Sequence, residues 1–190
     1  GYTIPGMVHW RHMGRNIYPA DIYKEIKEIP EFDAKKLAWD FRQVEKAVLL
    51  MSDEEYKAWV INHIERERQW FQTARYLMKK HPTELTAIVF DGVDKIQHIC
   101  WEFLDPALSS SNASAWKAQV RELCLKYFRE LDGFLKEIIG LAGQDTNTFI
   151  VSDHGFGPTY TRFHVNQLLS NWGYLKWKND DPDKEEAYRR

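Results

Sequence analysis

Cysteine is scarce in this 190-residue sequence, and neither sign of charge is in excess. The two cysteines, Cys100 and Cys124, fall among apolar neighbours in helix-like segments, which is typical of buried free thiols in a reducing compartment. This pattern disfavours a disulfide framework and a thiolate metal site. Lys and Arg total 26 against 28 for Asp and Glu, with both signs interspersed, so no basic surface is offered to a nucleic-acid backbone.

Long hydrophobic runs are also missing. No stretch approaches the roughly 20 apolar residues that a transmembrane helix needs, and no basic and apolar leader opens the chain. We therefore expect a soluble, cytoplasmic protein that does not bind membranes. Hydrophobic residues nevertheless make up 44% of the sequence, which is enough for a substantial core. Because the chain starts without methionine and ends in a charged stretch, we expect it to be part of a longer polypeptide.

Local signals predict three helices. Ser52 and Glu55 form a capping box, and apolar residues at helical spacing follow it as far as His81 and Pro82. The charged run 65–68 within this helix predicts a solvated face. Two more amphipathic helices are predicted, one over residues 93–104 and a long one over residues 113–139.

Two short apolar runs, residues 85–90 and 148–152, predict buried strands. The order strand, helix, helix, strand favours parallel pairing through right-handed crossovers, and hence an α/β fold. We divide the chain into a helix-rich region 1–84, an α/β core segment 85–178 and a charged tail 179–190. Together these regions are expected to form one partial domain.

Clusters of oxygen and nitrogen donors follow both predicted strands, at the edge where open α/β sheets bind ligands. Asp94 and His98 are four residues apart on a predicted helix, so their side chains share one face about 6 Å apart at Cβ. Asp153 and His154 directly follow the second strand. Either pair alone is more often an ordinary ion pair, but their conjunction favours a site for zinc, manganese or iron. Asp91 is a weaker alternative to Asp94, because its spacing to His98 does not fit one helical face.

These donors lie within segments that resemble the type I phosphodiesterase/nucleotide pyrophosphatase family of the alkaline phosphatase superfamily. The resemblance is clearest over residues 85–177, and its most specific element is the Ser-Asp-His-Gly sequence at 152–155. It implies a three-layer α/β/α fold of the alkaline phosphatase type, incomplete here, with a helix-rich N-terminal half. The segments that carry the resemblance are residues 90–101, 127–132, 151–156, 163–169 and 173–175.

The resemblance implies a site for two divalent metal ions, with zinc preferred. In the family, an Asp and two His residues hold one ion, while two Asp, one His and a Thr or Ser nucleophile hold the other. Asp94 and His98 match the first set, and Asp153 and His154 match the second. His164 is a candidate for the second histidine of the first ion.

The implied activity is hydrolysis of small-molecule phosphoryl or sulfuryl esters through a covalent Thr or Ser intermediate. No catalytic residue is assigned, because Thr3 has neither a strand nor an Asp beside it, and the nucleophile is expected to lie outside the chain. The chain alone is therefore expected to be inactive. Phe90, Trp101, Phe156 and Tyr160 are candidates for shaping a substrate pocket, although core packing is favoured for Phe90 and Trp101. Two alternatives stay open: phosphomutase-type transfer on the same metal site, and a non-catalytic helical interaction module.

Overall fold

The computed structural model describes residues 1–6, 8–30, 32–37, 51–108, 114–161 and 163–177. The chain divides into two compact units, residues 1–156 and residues 157–190. The predicted charged tail 179–190 lies outside the described residues, and the division at residues 84 and 178 stays a prediction.

The described part of the first unit is built from helices. Its three long helices pack on one another, and α4 also contacts the short helix α3. The described part of the second unit contains α7, Val165–Asn171. In chain order, the first unit contains a 3-10 helix Trp10–His12, then α1 Met13–Asn16, α2 Ala20–Ile26, α3 Ala34–Leu37, α4 Asp53–Lys80, α5 Gly92–Leu104 and α6 Ala115–Ala142.

Helix α4 begins where the capping box predicts. Ser52 Oγ accepts a hydrogen bond from the Glu55 amide at 3.4 Å, and Glu55 Oε2 accepts one from the Ser52 amide at 2.8 Å. The box therefore satisfies amides that the start of a helix leaves without partners. The helix ends at Lys80, directly before His81 and Pro82, as predicted. The observed bounds of α5 and α6 likewise confirm the other two predicted helices.

One face of α4 differs from the prediction. The charged run 65–68 predicts a solvated face, yet Arg66 and Glu67 are buried, with 8% and 1% exposure. The physical reason is that α4 packs against α3, α5 and α6, which leaves only part of its circumference to solvent. The buried groups have partners, since Arg66 pairs with Asp91 and Glu67 accepts a hydrogen bond from the Gly92 amide.

The apolar stripes of α4, α5 and α6 pack together in one core. Cys100 on α5 and Cys124 on α6 are both buried and free, as predicted. Their mutual contact, together with burial, raises the pKa of the Cys100 thiol, which therefore stays protonated. The buried members of this core are Trp59, Val60, Ile64, Ile96, Cys100, Phe103, Val120, Cys124, Tyr127 and Leu131.

The two predicted strands differ from the expectation. Residues 85–90 and 148–152 carry no strand assignment, and within the described part of the chain the one β-bridge joins Thr3 and Tyr18. Most of their apolar side chains are exposed rather than buried, such as Val151 with 87% exposure, whereas Ile88 and Phe90 are half-buried. A strand requires a neighbour for its backbone amides and carbonyls, and the described residues supply none. The three-layer sheet arrangement thus stays a prediction.

Among the described residues, no helix has the length and apolar character needed to cross a membrane.

Candidate metal centre

Helix α5 places Asp94 and His98 on one face. Asp94 lies in the first turn and His98 one turn later, and His98 Nε2 is 3.2 Å from Asp94 Oδ1. The side chain of Asp94 is 30% exposed, whereas that of His98 is 60% exposed. The four-residue spacing therefore brings a carboxylate and an imidazole together, as the sequence predicts.

The segment that follows residues 148–152 brings the second predicted pair beside the first. His154 Nε2 lies 3.8 Å from Asp94 Oδ1 and 3.7 Å from Asp153 Oδ1. The Asp153 side chain is 90% exposed, so its carboxylate stands at the solvent side of the cluster. The structure thus brings together four donor side chains from two distant parts of the sequence.

A lysine and two histidines surround the carboxylate of Asp94. The Lys95 ammonium donates to Asp94 Oδ2 at 2.9 Å, while the two histidine rings face Oδ1. Partial burial on its own raises the pKa of Asp94, but Lys95, followed by His98 and His154, brings it below the ordinary value. Asp94 is therefore ionised at neutral pH, and the ionised state is the one that binds a cation.

The backbone orients the ring of His154. Its Nδ1 lies 2.8 Å from the Gly155 carbonyl oxygen, which only accepts, so Nδ1 carries the proton and Nε2 faces Asp94. This hydrogen bond, followed by the charge of Asp153, raises the pKa of His154 above its ordinary value. Histidines that bind metals usually have one ring nitrogen fixed by a carbonyl or carboxylate in this way.

These donors fit a divalent cation in kind and in spacing. Asp94 Oδ1 is buried and makes no hydrogen bond within the described part of the chain, so a carboxylate oxygen is left for a ligand. Two ligand atoms on a tetrahedral zinc ion, each about 2.1 Å away, are about 3.4 Å apart. The distances within the two pairs, 3.2 Å for Asp94 with His98 and 3.7 Å for Asp153 with His154, lie on either side of that value.

The ligand set is nevertheless incomplete. Among the described residues, no three His, Cys, Asp or Glu side chains are grouped so that they could hold one ion. The arrangement supplies pairs of ligands, and a tetrahedral ion needs four ligands in total.

Aromatic side chains lie beside the donor residues. The ring of Phe156 lies nearly perpendicular to that of His98, with centroids 5.0 Å apart, and its centroid is 5.3 Å from that of Trp101. The sequence indicates Phe156 as a pocket residue.

Lys95 is a residue of the site that sequence reasoning missed. The available signal was its position directly after Asp94, where a cation could neutralise the carboxylate.

The other residues weighed from the sequence have different surroundings. Asp91 accepts a hydrogen bond from Arg66 Nη1 at 2.7 Å, so a buried cation engages its carboxylate. Thr3 forms backbone hydrogen bonds with Tyr18. His164 precedes α7 in the second unit, where its exposed side chain makes no capping hydrogen bond, and its role as a ligand stays a prediction.

Comparison with known families agrees with the resemblance in the sequence. A family model described as type I phosphodiesterase / nucleotide pyrophosphatase matches residues 15–188, and this points to a phosphoric ester hydrolase. The chain belongs to this family. Membership implies an alkaline-phosphatase-like fold and small-molecule phosphoester substrates, and the family is generally metal-dependent. Neither the curated proteins nor the solved structures gave a match.

Proposed function

We propose that the chain contributes part of a two-metal active site to a hydrolase of phosphoryl or sulfuryl esters. Asp94 and His98 would hold one divalent ion, and Asp153 and His154 the other. Carboxylate oxygen and imidazole nitrogen suit zinc, with manganese and iron as alternatives.

One observation carries the proposal. Asp94 Oδ1 is buried and makes no hydrogen bond within the described part of the chain, and it lies 3.2 Å from His98 Nε2 and 3.8 Å from His154 Nε2. A buried carboxylate oxygen that lacks a hydrogen bond is costly, and a cation shared with the His98 nitrogen would offset that cost.

The charged and the neutral side chains at this site have different roles. Divalent ions, when bound, supply positive charge that lowers the pKa of a hydroxyl nucleophile and stabilises the phosphoryl oxygens during displacement. Asp94 and Asp153 provide the negative charge that retains cations at this place. His98 and His154 provide neutral nitrogen donors, and the ring of Phe156 packs against that of His98.

We propose that the nucleophile is a Thr or Ser that lies outside residues 1–190. Its oxygen would form a bond to phosphorus while the leaving alcohol departs with the ester oxygen, and water would then hydrolyse the covalent ester. Ser152 is the hydroxyl next to Asp153 in the sequence. It donates to the His154 carbonyl at 2.5 Å, which supports assigning the nucleophile elsewhere.

The sheet arrangement is also proposed and not observed. Residues 85–90 and 148–152 would be neighbouring parallel strands of a three-layer α/β/α fold. Their support is twofold: both runs are apolar, and the donor pairs follow after each run in the sequence.

Turnover of a nitrophenyl phosphodiester by the complete protein tests the proposal. Asp153→Asn removes a formal charge from the cluster and His154→Ala removes a nitrogen donor, so each should lower turnover by more than about 100-fold. Lys176→Ala, at an exposed position in the second unit, is the control and should keep full activity. Wild-type activity in Asp153→Asn would leave the assignment without its most specific residue.

Phosphomutase-type transfer would use the same donors, and it is distinguished by the product. A hydrolase releases the phosphoryl group to water, whereas a mutase returns it to the substrate. The interaction-module alternative loses its main support, because the stripes of α4 and α6 that it would present to a partner are packed in the core.

A further inference from the structure

The direction in which the side chains of Asp94 and His98 point depends on the position of the first turn of α5. Asp91 precedes this helix but makes no side-chain capping hydrogen bond. The Gly92 amide instead donates to Glu67 Oε1 of α4 at 2.9 Å. The first turn of the helix that bears the donors is therefore held by a side chain from another helix.

Arg66, the residue before Glu67, makes a second contact between α4 and the start of α5. Arg66 Nη1 donates to Asp91 Oδ1 at 2.7 Å, so consecutive residues of α4 hold the two residues at the start of α5. Arg66 also donates to the backbone carbonyls of Leu37 at 3.4 Å and Gly6 at 3.5 Å. Its position is thus fixed from several directions.

The packing at this place requires glycine. A Cβ atom at Gly92 would lie 2.6 Å from Glu67 Oε1 and 2.6 Å from the Tyr127 hydroxyl of α6, closer than real Cβ atoms come. Both Glu67 and Tyr127 are 1% exposed. Helices α4, α5 and α6 therefore meet at Gly92, two residues before Asp94.

Burying a carboxyl group between helices costs free energy, and well-packed apolar residues would stabilise the contact as well or better. What the carboxyl adds is a directional bond to one backbone amide. We propose that Glu67 is a positioning residue that aims Asp94 and His98 by holding the Gly92 amide. The inference rests on the proposed function, because it assigns Glu67 a role at the same metal centre.

Cobalt binding tests this role, with Co²⁺ as the probe ion and the complete protein as the sample. Glu67→Leu removes the acceptor, whereas Glu67→Gln keeps an oxygen that can accept from Gly92. Loss of residues that orient metal ligands typically weakens metal binding by about 10–100-fold, so Glu67→Leu should fall in that range. Glu67→Gln should stay within about twofold of the wild type, because the bond to the amide is kept.

Gln69→Leu is the matched control. Gln69 is buried on the same helix, and its Oε1 accepts a hydrogen bond from the Asp33 amide at 3.0 Å, away from α5. This variant should bind Co²⁺ as the wild type does. Hydrogen exchange adds a readout that does not depend on metal: the Gly92 amide should exchange faster in Glu67→Leu, while amides of α6 stay protected.

The outcomes separate the two proposals. Wild-type Co²⁺ binding that Glu67→Leu leaves unchanged would overturn the positioning role and leave the proposed function standing. Equal loss of binding in Glu67→Leu and Gln69→Leu would overturn the positioning role as well, because it would show general destabilisation. Absence of Co²⁺ binding by the folded, complete wild-type protein would overturn the proposed function and the positioning role together.

Discussion

His154 Nε2 lies 3.8 Å from Asp94 Oδ1, although the whole of α6 separates the two residues in the sequence. This contact joins the two donor motifs into one cluster. Because Nδ1 of His154 is bonded to the Gly155 carbonyl, Nε2 is the nitrogen that faces Asp94. The cluster is the feature of the first unit from which the proposed activity is derived.

The two aspartates at the start of α5 should respond differently to truncation. Asp91→Ala leaves the buried Arg66 without its carboxylate, so the free energy of unfolding should fall by about 1–3 kcal/mol. Asp94→Ala loses an ion pair with Lys95 that solvent screens in part, so its stability should change by less than about 1 kcal/mol. Metal binding should show the reverse order. Urea unfolding and Co²⁺ titration of both variants check this, and parallel effects in the two assays would contradict it.

Alanine substitution at two glycines should change stability in opposite directions. Gly92→Ala places a Cβ atom 2.6 Å from two buried oxygen atoms, and the overpacking should cost about 1–3 kcal/mol. Gly133→Ala, within α6, meets no atom within 4 Å and should stabilise by about 0.5–1 kcal/mol through helix propensity. Thermal or urea unfolding measures both changes. A stabilising Gly92→Ala would show that the junction of the helices is looser than described.

Two buried groups one turn apart on α4 should give opposite pH dependences of stability. Burial lowers the pKa of His63 to about 4, although its ring bonds the Trp59 carbonyl, and burial raises the pKa of Glu67 to about 7. The unfolded histidine takes up its proton near pH 6.5, so the His63 contribution to stability is lost as the pH falls from 6.5 to 4. Unfolded Glu67 ionises near pH 4.5 while the folded carboxyl keeps its proton, so stability falls as the pH rises from 4.5 to 7.

Between pH 4.5 and 6.5 these two slopes should largely cancel in the wild type. Glu67→Gln should reveal the His63 slope, so its free energy of unfolding should rise with pH across this window. Its advantage over the wild type should grow toward pH 7, to on the order of 3 kcal/mol at most. Chemical unfolding at several pH values checks this, with Gln69→Leu as a control that keeps the wild-type slope. Equal slopes in Glu67→Gln and the wild type would contradict the prediction.

The 190-residue chain alone should hydrolyse a nitrophenyl phosphodiester poorly or not at all, even with added zinc. The reason is that its described residues offer pairs of ligands and no group of three for one ion. Fast hydrolysis that a chelator abolishes would show that a nucleophile lies within the chain. Hydrolysis that proceeds at the same rate with and without zinc would contradict the metal site itself.

The helices and the pairing of Asp94 with His98 follow from local signals in the sequence, and the rest does not. The capping box of Ser52 and Glu55 fixes the start of α4, and the spacing of Asp94 and His98 places both on one face. The burial of Glu67 depends on α5 and α6 packing over it, which no local pattern reveals. Strand pairing is equally non-local, since the apolar character of residues 85–90 and 148–152 predicts strands without supplying their neighbours.

We predict that the histidines beside Asp94 bind a metal ion. Zinc titration followed by NMR of the histidine rings tests this claim most directly. The signals of His98 and His154 should change together as zinc is added, while those of His9 and His12 stay in place, and Asp94→Asn should suppress the change. If the His98 and His154 signals are unmoved by zinc, or move equally in Asp94→Asn, the metal centre is contradicted.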